Sequence, residues 1–92
     1  MALVVDLELL YRLIAVVESR PTWNLDLFAL ALGVSRKTVY NIIERVKIEG
    51  IGVDIVHTGT RKEGEWEVRS LGLLDNDYAK AFIDIEKRSY KL

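Results

Sequence analysis

The chain has 92 residues, a formal net charge of −1, half its residues hydrophobic and no cysteine. A chain of that length suits a single domain over 1–92, burying about two thirds of the surface it exposes when unfolded, and the missing thiols exclude disulfides and cysteine-ligated metal. The charge balance argues against binding nucleic acid by bulk positive charge, so any such activity must rest on a local group of cations.

The N-terminal Met1-Ala2-Leu3-Val4-Val5 is apolar but lacks a basic start, and Asp6 and Glu8 interrupt it before it reaches signal-peptide length. No other apolar run approaches the roughly 20 residues of a membrane span. The expectation is a cytoplasmic protein with no membrane partner.

A first helix is predicted from the cap residue Asp6 to Ser19, with Leu7, Leu10, Leu13, Ile14 and Val17 on its buried face and Glu8, Arg12 and Glu18 facing away. Pro21 ends it by holding Arg20 extended. The link Thr22-Trp23-Asn24 is predicted as a short strand, with Trp23 a lid on the core and Asn24 the cap of the next helix.

Residues 25–46 then read as two helices joined by a sharp turn. Ala29 is small where helices must cross closely, Gly33 can take the positive φ that ends a helix, and Ser35 can cap the next. In that next helix, 36–48, Val39, Ile42, Ile43 and Val46 fall at i, i+3, i+4 and i+7 and make one apolar stripe. Lys37, Tyr40, Asn41 and Glu44 fall opposite, flanked by Arg36 and Arg45. Between Gly33 and Gly50, Arg36, Lys37, Arg45 and Lys47 stand against Glu44 and Glu49, a positive island in a near-neutral chain.

Gly50 and Gly52 mark a stop and a turn. Ile51, Val53 and Ile55 then alternate with Gly52, Asp54 and Val56, the period of a half-buried strand, and Trp66 and Val68 alternate with Glu67 and Arg69 in a returning one. The polar stretch from His57 to Glu65 is the hairpin tip. Arg61 and Lys62 there either reach a phosphate or the minor groove, or are solvated charges beside Glu63 and Glu65. His57, the sole histidine, has no second His or Cys beside it and reads as a polar residue at the hairpin base.

A last helix over 76–90 follows Asp75-Asn76-Asp77, with Tyr78, Ala81, Phe82 and Ile85 at i, i+3, i+4 and i+7. Its stripe packs on a second copy, joined by Leu3, Val4 and Val5, or folds back on the first helix. The high apolar content favours a homodimer.

The segment 25–46 is similar to the helix-turn-helix of small bacterial regulators, with Ala29, Gly33, Val39 and Ile42 at that family's spacing. The run Gly33-Val34-Ser35-Arg36-Lys37-Thr38-Val39-Tyr40 resembles the turn and recognition-helix start of DeoR-type and biotin-repressor-type winged helix domains, and the likeness extends over 6–70. The resemblance implies a mainly α fold with a small β-hairpin wing over 51–70: a winged helix-turn-helix with a three-helix core plus a C-terminal helix. It also implies a sequence-specific double-stranded DNA-binding protein, a transcriptional regulator such as a repressor, with helix 36–48 in the major groove. Ser35, Arg36 and Thr38 would then hold backbone phosphate, Lys37, Tyr40 and Asn41 would reach base edges, and Arg45 would lie alongside. Relatives often carry a ligand-binding domain after the wing, for which these 92 residues leave no room. The alternative is a winged helix used as a protein–protein interaction module without DNA binding.

No active site is expected. Gly59 to Gly64 has a P-loop's glycine spacing, but Glu65-Trp66 stand where Lys and Ser or Thr are required, and Gly50 and Gly52 lack the third glycine of a dinucleotide fingerprint. Asp75 and Asp77 are better read as capping acids than as a metal pair, and no cofactor is implied.

Overall fold

The computed structural model describes residues 6–48, 51–60 and 63–90, so the expectations for Leu3, Val4, Val5, Gly50, Arg61 and Lys62 fall outside the described residues. Helices α1 (Leu7–Ser19), α2 (Leu25–Leu32) and α3 (Arg36–Ile48) precede an antiparallel hairpin of β1 (Asp54–Thr58) and β2 (Glu65–Ser70). A 3₁₀ turn over Gly72–Leu74 and helix α4 (Asp77–Lys87) follow. Among the described residues four helices and a two-stranded wing make up the fold, as the sequence pattern led us to expect.

Helix α1 begins where the Asp6 carboxylate accepts from the free N–H groups of Glu8 and Leu9, at 3.0 and 3.3 Å. It is buried more widely than a one-sided stripe allows: Ala15 and Val16 are as inaccessible as Leu10, Leu13, Ile14 and Val17. The cause is its central position, with α2, β2 and α4 all packed around it. Leu7 is only half-buried. Arg12, expected to face away, is half-buried too, held by Glu8 at 2.8 Å and lying 3.9 Å from Glu86 of α4.

The 22–24 link forms no strand. One backbone bond, from the Trp66 N–H to the Pro21 carbonyl at 2.7 Å, ties it to the hairpin, and a single bond does not make a ladder. Asn24 caps α2 as expected, accepting from the Leu27 N–H at 2.9 Å. At the other end Gly33 takes φ 70°, ψ 31°, which lets the Val34 N–H return to the Ala29 carbonyl at 3.0 Å and stops the helix within eight residues. Such a short helix buries little, only Phe28 and Ala29, and leaves Leu30 78% exposed.

Ser35 Oγ accepts from the Thr38 N–H at 3.1 Å and starts α3, whose Val39, Ile42, Ile43 and Val46 all enter the core. Ile51, Val53 and Ile55 are buried as their alternation requires, although the paired strand starts only at Asp54, where a bulge interrupts the register. The alternation precedes the hydrogen bonding because Ile51 and Val53 line the core while the backbone there is still turning out of α3. His57 and Thr58, placed in the tip by their polarity, belong to β1 and pair with Trp66 and Glu65.

Helix α4 starts at an Asn76 side chain that accepts from the Ala79 N–H at 2.9 Å. It ends at Lys87, short of residue 90. It lies on α1 through Ala79 and Ile83, both buried, and through Phe82, whose ring centroid is 5.1 Å from that of Tyr11. The predicted stripe is therefore displaced: Phe82 belongs to the inner face, but Tyr78 and Ile85 remain 76% and 62% exposed and Ala81 is also outside. Small Ala79 is what permits the close approach to α1. The Arg20 guanidinium Nε donates to the Tyr90 carbonyl at 2.9 Å, tying the segment after α4 to the end of α1. Among the described residues no polar or charged side chain is fully buried, and no helix is long and apolar enough to cross a membrane.

Candidate nucleic-acid interface

Burying Val39, Ile42, Ile43 and Val46 fixes the rotation of α3 and turns its other residues outward. Arg36, Lys37, Tyr40, Asn41 and Arg45 are all exposed, Tyr40 by 52%. Glu44, one helical turn beyond Tyr40 and Asn41 in the middle of that face, is half-buried. Among the described residues of this face the exposed cations Arg36, Lys37 and Arg45 outnumber the one carboxylate, that of Glu44. The electrostatics suit an anionic partner locally, whatever the charge of the whole chain.

Ser35 and Thr38 are less free than their neighbours. Their hydroxyl oxygens lie 2.9 Å apart and Ser35 Oγ also accepts the Thr38 N–H, so both serve the start of α3 and only their remaining hydrogen-bonding capacity can meet a ligand. Arg36 Nε lies 3.7 Å from Asp26 Oδ1 in the first turn of α2, with both side chains about two thirds exposed or more. A pair so open to water contributes little to stability and releases its arginine readily to a better anion.

Arg36 also stands between two hollows. The larger, a cleft of about 580 Å³, is lined by Thr22, Trp23, Asn24, Leu25 and Asp26, by Arg36, and by His57, Gly64 and Trp66 at the wing base. The smaller, about 270 Å³, is lined by Leu25, Arg36, Lys37 and Tyr40. Together they form a concave strip running from the base of the wing to the outer face of α3.

The aromatic groups of the cleft wall continue into the core. The fully buried Phe28 ring lies 6.4 Å from both Trp23 and Trp66, and the exposed His57 ring meets Trp66 edge-on at 5.0 Å. The Arg20 guanidinium sits 5.7 Å from the Trp23 ring centre, where cation and π-face attract. Trp23 is thus a core lid that also forms a cleft wall, and His57 a wing-base group directed at the same space. Thr22, Asn24 and His57 add hydrogen-bonding capacity that motif reading did not assign to this face. The only earlier sign of it is the alternation that sets His57 opposite Trp66 once the hairpin register is known. Among the described residues no group of three or more His, Cys, Asp or Glu side chains is placed to hold a metal ion.

Among the described residues the class shown is a mainly helical fold with a small antiparallel hairpin as a wing, in which a helix, a tight turn and a second helix with a polar outer face precede the hairpin. Comparison with known protein families, curated proteins and solved structures yields no match to this chain.

Proposed function

We propose that this protein is a sequence-specific double-stranded DNA-binding protein, a small transcriptional regulator that acts as a homodimer with α3 in the major groove. The observation that carries this reading is the outward placement of Lys37, Tyr40 and Asn41, directly behind the buried Val39, Ile42, Ile43 and Val46. Asn41 can pair bidentately with adenine and Lys37 can donate to guanine, each good pair giving about 1–3 kcal/mol of discrimination. Arg36, Arg45 and the hydroxyls at the start of α3 supply phosphate contacts that set the register, and the concave strip beside Arg36 has room for the backbone flanking the groove. In a two-fold dimer the half-sites lie about 34–36 Å apart, or a multiple of that. The resemblance of 33–40 to DeoR-type and biotin-repressor-type winged helices points the same way.

The test is selection of bound duplexes from random DNA, followed by titration of the winner. Asn41→Ala should weaken the selected duplex about 5- to 150-fold and relax preference at one base position. Arg36→Ala should weaken all duplexes alike and lower the slope of log affinity against log salt by about one. Absence of binding even at low salt refutes the reading and leaves the second one, a protein-interaction module. That alternative is favoured by α2, whose Leu27 and Leu30 are 40% and 78% exposed beside the same turn.

A further inference from the structure

The outer side of α4 carries an apolar strip that no part of the described chain covers. Tyr78, Ala81 and Ile85 stand at i, i+3 and i+7, exposed on the side of the helix away from Ala79 and Ile83, and half-buried Phe82 joins that strip to Tyr11 on α1. One flank of the strip is charged, and the charges are ordered: Asp77 near the start of the helix, Lys80 and Asp84 about its middle, Arg88 just past its end, all exposed.

That order selects the occupant. We infer that a second copy of this chain covers the strip, its α4 lying antiparallel on this one about a two-fold axis near Ala81. Antiparallel packing puts like flanks together with their sequences reversed. Tyr78 then meets the partner's Ile85, Asp77 meets the partner's Arg88 and Lys80 meets the partner's Asp84, each contact occurring twice. In parallel packing the two-fold axis would run along the helices and put the charged flanks on opposite sides of the seam, so none of these pairs could form. The small side chain of Ala81 falls at the axis, where the helices must come closest. Asp84 is available for this, being 72% exposed with only a long 3.8 Å contact to Lys87, while Lys80 keeps its bond to Asp75 at 2.6 Å and still has two donors free. The helix dipoles also oppose favourably in this arrangement.

The contact needs no DNA, so its failure and the failure of DNA binding are separate results. Sedimentation velocity on the full chain alone should show a monomer–dimer equilibrium that depends on protein concentration. Ile85→Glu, a change at an exposed position, should weaken association more than about tenfold, because two charges would be driven into an apolar seam. Far-UV circular dichroism should show the helix content of that variant unchanged. Asp77→Arg and Arg88→Asp should each weaken the dimer, and the double swap should restore it, which a merely structural loss cannot do. A chain that stays monomeric at every concentration, a dimer that survives Ile85→Glu, or a double swap that regains nothing would each overturn the inference.

Discussion

Ile42 and Asn41 are neighbours on α3, one buried and one exposed, which makes them a paired test of the orientation on which the proposed DNA reading depends. Ile42 is 7% exposed. Truncating it to alanine removes three carbons at about 0.8 kcal/mol each and leaves a void, for which observed costs run to about 2–5 kcal/mol. Because the side chain approaches the surface, neighbours and water can partly fill the gap, and the cost should fall in the lower half of that range, about 2.5–3.5 kcal/mol. For a chain this small each kcal/mol moves the melting point by about 4–8 °C, so Ile42→Ala should melt about 10–28 °C below the parent. Asn41→Ala removes an exposed amide and substitutes a better helix former, and should change stability by no more than about 0.5 kcal/mol. Thermal melts followed by circular dichroism measure both. Equal melting points for the two variants would mean that the helix is turned the other way, with Asn41 withdrawn from the surface that the proposed DNA contact requires.

The glycines at the two turns separate strain from space. Gly33 has φ 70° with nothing within 4 Å of an added Cβ, so Gly33→Ala should cost about 1 kcal/mol of backbone strain alone. At Gly72, φ 52°, the same methyl would overlap the Ile51 carbonyl and the Gly52 backbone, and Gly72→Ala should cost about 2–4 kcal/mol by denaturant titration. Asn76→Ala, which removes the cap of α4, should cost about 1 kcal/mol. Burial raises the Tyr90 phenol above its ordinary 10.0, with Glu86 adding to the effect and Arg12 opposing it. The folded chain thus holds that proton more tightly than the unfolded one, so the contribution is complete below pH 10.0 and is lost as the pH climbs beyond. Tyr90→Phe should flatten the alkaline fall in melting temperature, and an unchanged fall would assign it to another group.

What the sequence makes legible here is what neighbouring residues decide among themselves. Asp6, Asn24, Ser35 and Asn76 cap the helices that their chemistry predicts, and Gly33 ends α2 because only a few residues adopt its backbone angles comfortably. The stripe of α3 is unambiguous because polar residues fill its other side. Helix α4 offers no such contrast. Ala79 and Ala81 are alike, as are Ile83 and Ile85, and residues two apart lie on nearly opposite sides of a helix, so two overlapping stripes share Phe82 and the periodicity chooses neither. Packing against α1 decides between them. Likewise Ala15 and Val16 give no sign that α1 is covered on several sides, since that depends on what arrives from residues far along the chain. The cleft is least legible of all, for it joins 22–26, Arg36 and 57–66 through tertiary packing.

The backbones at Gly52 and Gly72 approach so closely that a Cβ at Gly52 would lie 3.4 Å from the Gly72 Cα, and the Leu73 N–H bonds the Ile51 carbonyl at 2.8 Å. Both feet of the hairpin are thus clamped to each other and, through the Gly52 N–H, to Val46 at 3.2 Å near the end of α3. Lengthening the loop between Gly59 and Gly64 should alter how far the wing reaches but not the direction in which it leaves the body. A residue inserted at 52 or 72 would spoil that aim and tilt α4 along with it.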